Sequence, residues 1–364
     1  MNHMTSARAI SDSLSRRQFL KVAGGLGLSV AGLAILDACG GATAAPNAAV
    51  EKLETTTIRI ALTNTVSICQ APLFVAEELL KAEGFTGVEY VSSPNTDQFL
   101  KSLTTGASDM TMQFSGPSIL YLDGRQPITI LAGIHVGCFE LFGSDRVTEI
   151  GDLKGKTLSI SQLGAADHVF MSSILANVNI DPNKDVTWTT KPPAETKQLF
   201  IDGKIDAILA FPPTAQELRA KNIGHVVVNS MMDAPWSQYF CCMATFNHDF
   251  VQTKPVATKR ALRALLKATD ATALHPEQAA KLMVDKGMAT TYDYALQAMQ
   301  DIPYNRWRQY NPEDTVRFYS LLLRGVGTVK STPDEIIKQG TDWGFLNELK
   351  AELPAIATPT APAS

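Results

Sequence analysis

The chain has little that would commit it to nucleic acid or to a familiar catalytic centre. Its 364 residues carry a net charge of −4 and a pI near 5.9, and no basic block or stripe follows the N-terminal region. A polyanionic partner therefore finds no electrostatic footprint. GxSxG, HExxH, a Walker-type loop and an EF-hand loop are all missing, so the chemistries tied to those spacings have no signature here. The five cysteines (Cys39, Cys69, Cys138, Cys241 and Cys242) contain no CxxC spacing. That pattern signals neither a metal site nor a dithiol centre, and buried, apolar cysteines are the expectation. No metal and no cofactor is expected.

Long apolar runs are scarce too. The uncharged stretch from Val22 to Leu36 has 15 residues; at about 1.5 Å each it falls short of a hydrocarbon core of about 30 Å. It follows Ser15-Arg16-Arg17-Gln18-Phe19-Leu20-Lys21, which fits the S-R-R-x-F-L-K pattern at every fixed position. Together they read as a twin-arginine export signal within residues 1–44, placing the mature protein in the periplasm or cell envelope. Two ends are open to the mature chain. Leu36-Asp37-Ala38-Cys39 resembles a lipoprotein box, departing from it at Asp37, and lipidated Cys39 would anchor the protein to a membrane. Ala42-Thr43-Ala44 offers ordinary small-x-small cleavage instead. Twin-arginine substrates fold in a reducing compartment, so disulfides are not expected as the framework of the fold.

What is present is ordinary globular composition, 45% hydrophobic and 19% charged, in a chain long enough for two compact units. Strand and helix patterns alternate from Thr57 to Phe246. After that, four stretches (255–274, 276–286, 292–299 and 313–323) carry apolar residues at helical spacing. The Pro/Ala-rich end, residues 351–364, reads as a disordered tail. Repeated strand–helix units imply open, mostly parallel sheets, with ligands off the carboxyl ends of the strands. Four loops sit there: Thr63 to Gln70, Ser115-Gly116, Ser161 to His168, and Phe211-Pro212. Asn64, Gln70 and Gln162 both donate and accept, which suits neutral or zwitterionic ligands, and act equally well as turn residues. Gly116 after Ser115 lets backbone approach a ligand. Phe211, Trp236 and Tyr239 are placed to stack on a planar or cationic group or to pack in the core. Trp188, Trp307 and Trp343 are expected to pack far from these loops.

The same loops carry a family resemblance. Ile58 to Leu62 leading to Ala71-Pro72-Leu73-Phe74, Gly106-Ala107-Ser108-Asp109 leading to Ser115 to Ser118, Asp152 to Lys156 leading to Gly164 to His168, and Gly203 to Ala207 leading to Phe211-Pro212 occur in that order. In this the chain resembles the solute-binding proteins of ABC importers, in the branch serving nitrate, alkanesulfonates, taurine and the thiamine pyrimidine precursor. The resemblance implies the two-lobed type II periplasmic-binding-protein fold, α/β, with two crossing strands: lobe one at 55–142 plus 243–350, lobe two at 143–242. It implies a non-catalytic monomer that captures a small organic solute and delivers it to a permease and its ATPase. It also implies His168 in the cleft and an anion site at Gly164-Ala165. There the family's usual hydroxyl is replaced by alanine, and none of the four loops holds Arg or Lys, so a strongly anionic ligand is not favoured. Two alternatives are a thiamine-pyrimidine-synthase-like enzyme, faintly suggested by Cys241-Cys242, and a sensor partner that presents ligand to a receptor.

Overall fold

The computed structural model describes residues 51–64, 66–289 and 291–356. The segment read as an export signal, Cys39 and the last eight residues lie outside them. The first sheet begins with β1 (Thr57–Thr63), whose apolar Ile58, Ile60 and Leu62 are buried. Beside it stand β2 (Gly87–Ser93), β3 (Met110–Phe114), β4 (Ile128–Val136) and β10 (Phe240–Asn247), in the order β2-β1-β3-β10-β4. Every residue of β3, β4 and β10 is buried, as expected for strands covered on both faces.

Helices supply that cover. On this side they are α1 (Ala71–Ala82), α2 (Thr96–Thr104) and α3 (Ser115–Asp123). The local code is legible: Asn95 caps α2 by accepting from the Gln98 N–H at 2.9 Å, and Pro72 occupies the first turn of α1. A one-turn 3-10 helix, Ile68–Gln70, precedes α1.

The second set of strands is β5 (Glu140–Gly143), β6 (Thr157–Ile160), β7 (Thr187–Thr190), β8 (Ala207–Ala210) and β9 (His225–Asn229). They form a three-stranded sheet, β8-β5-β9, and a two-stranded sheet, β6-β7. Between them run α4 (Ala166–Asn177), α5 (Pro193–Ile201) and α6 (Thr214–Ala220). The remainder is helical: α7 (His248–Thr253), α8 (Pro255–Leu274), α9 (Pro276–Asp285), α10 (Tyr292–Asp301), α11 (Pro312–Gly325), α12 (Pro333–Gly340) and α13 (Gly344–Glu352). Of these, α8 packs on α1 and α9 on α10. Helix α13 runs two residues into the stretch read as a tail.

The open-sheeted periplasmic-binding-protein architecture is the expected one, with one difference in strand sense. Among the described residues, parallel strand pairing is confined to β1–β2, β1–β3 and β6–β7, with one isolated parallel bridge between Ile130 and Thr341. The chain leaves the first sheet at Val136 and enters the second at Glu140; it returns after Asn229 and re-enters at Phe240. Each entering strand lands between two others and runs against them, β5 between β8 and β9, and β10 between β3 and β4.

Candidate functional site

Two helix starts meet where the sheets face each other. Strand β3 ends at Phe114 and α3 begins at Ser115; β6 ends at Ile160 and α4 begins at Ala166. A β-carbon on Gly116 would lie 2.5 Å from Val169 Cγ1 and 2.7 Å from Phe114 Cε1. Glycine is what allows α3 and α4 to approach this closely. Gly164 has φ +79°, the left-handed region that favours glycine, and faces Leu120 of α3.

Aromatic rings fill the space around this contact. Phe170 lies 4.8 Å from Phe139, 5.5 Å from Phe114 and 6.4 Å from Trp236, centroid to centroid. Phe211 meets Phe139 edge-on, and Tyr319 of α11 meets Phe114. Within this group two polar atoms, Ser115 Oγ and Trp236 Nε1, are buried and find no hydrogen-bond partner among the described residues. Such groups each cost about 1–3 kcal/mol when left unpaired. Sequence reasoning picked out Ser115, Gly116, Phe211 and Trp236, and missed Phe114, Phe139, Phe170 and Tyr319. Their signal was only the strand-end position of Phe114 and the crossing position of Phe139.

The other residues expected at the cleft are engaged by partners within the protein, in their own loop or in a neighbouring element. His168 Nδ1 accepts the Gly164 N–H at 3.1 Å, so the ring proton sits on Nε2; burial holds this ring below its usual value. Ala165 is buried at the N-cap of α4, and Gln162 offers its carbonyl to the Ala165 N–H. Asp167 closes the same turn by accepting from the Ser161 N–H and hydroxyl; burial raises its carboxyl despite those bonds. The Gln70 amide donates to the Met112 carbonyl at 2.6 Å, and exposed Asn64 donates its backbone N–H to Ser93. Tyr239 stacks on Phe318 at 3.9 Å. Trp188, expected far from these loops, instead lies edge-on to His168 at 4.9 Å, because β7 pairs directly with β6.

Polar contacts also bridge the two strand sets. Ser67 Oγ and the Ile68 N–H both donate to the Pro212 carbonyl, at 3.2 and 3.4 Å. Arg219 of α6 donates to Glu140 Oε1 at 2.9 Å and to Asp301 Oδ2 of α10, and Gln216 donates to the same Asp301 oxygen. Glu140 is wholly buried. Burial pushes its carboxyl up to about 7; Arg219 opposes the shift and Asp301 adds to it.

A second cluster, which sequence spacing did not signal, gathers behind the crossing. Cys69, His135, Cys138 and Cys242 place one Sγ or ring nitrogen each within 4.8 Å of one another, all buried. Cys241 Sγ is 3.1 Å from Cys138 Sγ, and the described cysteines are all free thiols. The Cys242 thiol is held well below its usual value by hydrogen bonds from Cys138, Cys241 and Cys69, against the effect of burial. Burial alone would lower His135, but the charge of Cys242 beside it pushes it up to about 10.

Solved structures with this architecture include the periplasmic nitrate-binding protein NrtA of Synechocystis PCC 6803. The two share 15% identity and a TM-score of 0.70, over 86% of this chain and 93% of that one. The alkanesulfonate-binding protein SsuA of Xanthomonas axonopodis pv. citri, solved with MOPS, shares 15% identity and a TM-score of 0.63, over 80% and 100%. The desulfurization enzyme DSZB shares 16% identity and a TM-score of 0.54, over 81% and 99%. At these identities the likeness is one of fold. No curated protein matches the sequence significantly. The family model that does match spans residues 51–284, well over half of the chain, and by that match the protein belongs to the NMT1-like family.

Proposed function

We propose that this chain is the solute-binding component of an ABC importer, capturing a small organic solute between its two strand sets and handing it to a membrane permease. The observation that carries this reading is the contact of the α3 and α4 starts at Gly116 and Val169. Around it stand aromatic rings and two unpartnered buried donors, Ser115 Oγ and Trp236 Nε1. Aromatic faces receive a planar or apolar body, and two isolated donors fix its orientation. With no Arg or Lys in the four loops, free oxyanions are disfavoured relative to neutral or zwitterionic solutes.

In this reading the lobes are residues 55–142 with 243–350, and 143–242, hinged at the two crossings. A solute touching both lobes stabilises the closed state by its differential affinity alone. The Arg219–Asp301 and Ser67–Pro212 contacts join the two lobes across the cleft. The protein acts outside the cytoplasm after twin-arginine export, anchored at Cys39 or released near Ala45, as a monomer beside its permease and ATPase. It performs no chemistry on the solute.

A solute panel screened by thermal shift and Trp fluorescence tests this. One class of small organic molecule should raise the melting temperature saturably at one site per chain. Turnover of any bound compound, or no response to amino acids, amines, nucleobases, sulfonates and nitrate alike, would remove the reading.

A further inference from the structure

We propose that Cys69, His135, Cys138 and Cys242 bind one thiophilic d10 metal ion, Zn2+ or Cu+, where the chain passes between its sheets. The four ligand atoms already lie within 4.8 Å of one another. A tetrahedral ion with bonds of about 2.0–2.3 Å sets its ligands roughly 3.3–3.8 Å apart, so side-chain shifts of about 1 Å complete the shell. Three sulfurs and one imidazole select zinc, copper or iron–sulfur chemistry over magnesium and calcium.

His135 carries the independent sign. Its Nδ1 points at the Gly137 carbonyl at 3.0 Å, while Nε2 is buried and finds no partner among the described residues. A ring whose Nδ1–H is spent on a backbone carbonyl, as in metal-bound histidines, turns Nε2 to the cluster, and loss of the Nε2 proton frees its lone pair for the ion. Support reaches Cys69 as well: the Tyr304 hydroxyl donates to its carbonyl at 2.9 Å, and the Tyr304 ring lies 5.2 Å from His135.

The ligands come from four segments: the 68–70 turn, β4, the 137–139 crossing, and β10. An ion there ties the first sheet to the crossing and to the turn whose Ser67 and Ile68 bond Pro212. Binding replaces the remaining thiol protons and the Nε2 proton of His135, all of which pass to water. Because the ligands are fully buried, the ion enters during folding. Cys241, with its sulfur beside Cys138, is outside the tetrad and serves as the control.

The test uses the full chain, purified without a metal-affinity step and under reducing conditions from cultures supplied with zinc or with copper. Elemental mass spectrometry should find about one zinc or one copper per chain, and the two cultures distinguish the ions. X-ray absorption should show three sulfurs near 2.3 Å and one nitrogen near 2.0 Å. C242S and H135F should lose metal at least tenfold while C241S keeps it. If those variants do not fold, unfolding wild type with a colorimetric chelator should release one equivalent in step with loss of structure, and none before. Less than a tenth of an equivalent of either ion, iron in their place, metal retained in folded C242S, or a metal-free protein carrying a Cys138–Cys241 disulfide would each overturn the proposal.

Discussion

Gly116 and Val169 are so close that a single added methyl on the glycine would overlap the valine side chain, its β-carbon 2.5 Å from Val169 Cγ1. These residues belong to helices that cover different strand sets, so their contact measures how tightly the two can close. Gly116→Val should therefore weaken solute binding at least tenfold and shift small-angle scattering toward a more open form. A variant that binds and scatters as wild type would show that closure does not depend on this contact.

Ser115→Ala separates binding from stability. Removing a buried hydroxyl that lacks a partner should leave the ligand-free protein as stable or more stable, by up to about 2 kcal/mol. If Ser115 donates to solute, the same change should weaken binding by roughly 1 kcal/mol or more. Calorimetric melting with and without solute reads both. Loss of stability without loss of affinity would assign Ser115 to packing.

Phe170 sits at the centre of the ring cluster and is buried. Phe170→Ala should cost about 3–5 kcal/mol by cavity formation, measured by urea unfolding. His168→Ala should mainly loosen the 161–168 loop, whose Gly164 N–H it receives. Hydrogen exchange there should rise while solute affinity changes less than threefold.

Glu140 supplies a pH signature. Its native carboxyl is raised to about 7, so the native state holds a proton that the unfolded chain has released. Stability therefore falls as pH rises from about 4.5 through 7, whereas below that window both states are protonated and nothing is lost. Glu140→Gln removes the effect. Its stability relative to wild type should increase by on the order of 3 kcal/mol between pH 4 and pH 8. A flat difference would mean that Arg219 keeps Glu140 ionised throughout.

The sequence revealed most of the elements because their local rules are strong. The helix at 255–274 stands where its apolar spacing puts it, and α9, α10 and α11 fall within the other stretches of helical spacing to within a few residues. Helices α7, α12 and α13 escaped notice because they are short and draw their stability from packing on neighbours such as α8, α11 and β4. The cluster at Cys69, His135, Cys138 and Cys242 escaped for another reason. Its members lie up to 173 positions apart in the chain, and only the antiparallel entry of β10 beside β4 brings Cys242 against His135. Phe139 and Phe170 carry no sequence signal that separates them from other buried aromatics; their place beside two helix starts is a property of topology.

The central claim is that this chain holds a small organic solute between its strand sets. Gently purified wild type should release one such molecule per chain on denaturation, identified by mass spectrometry, and Gly116→Val should release at least tenfold less. Wild type that releases no molecule, and that also fails to take one up from a solute mixture after refolding, would contradict the account.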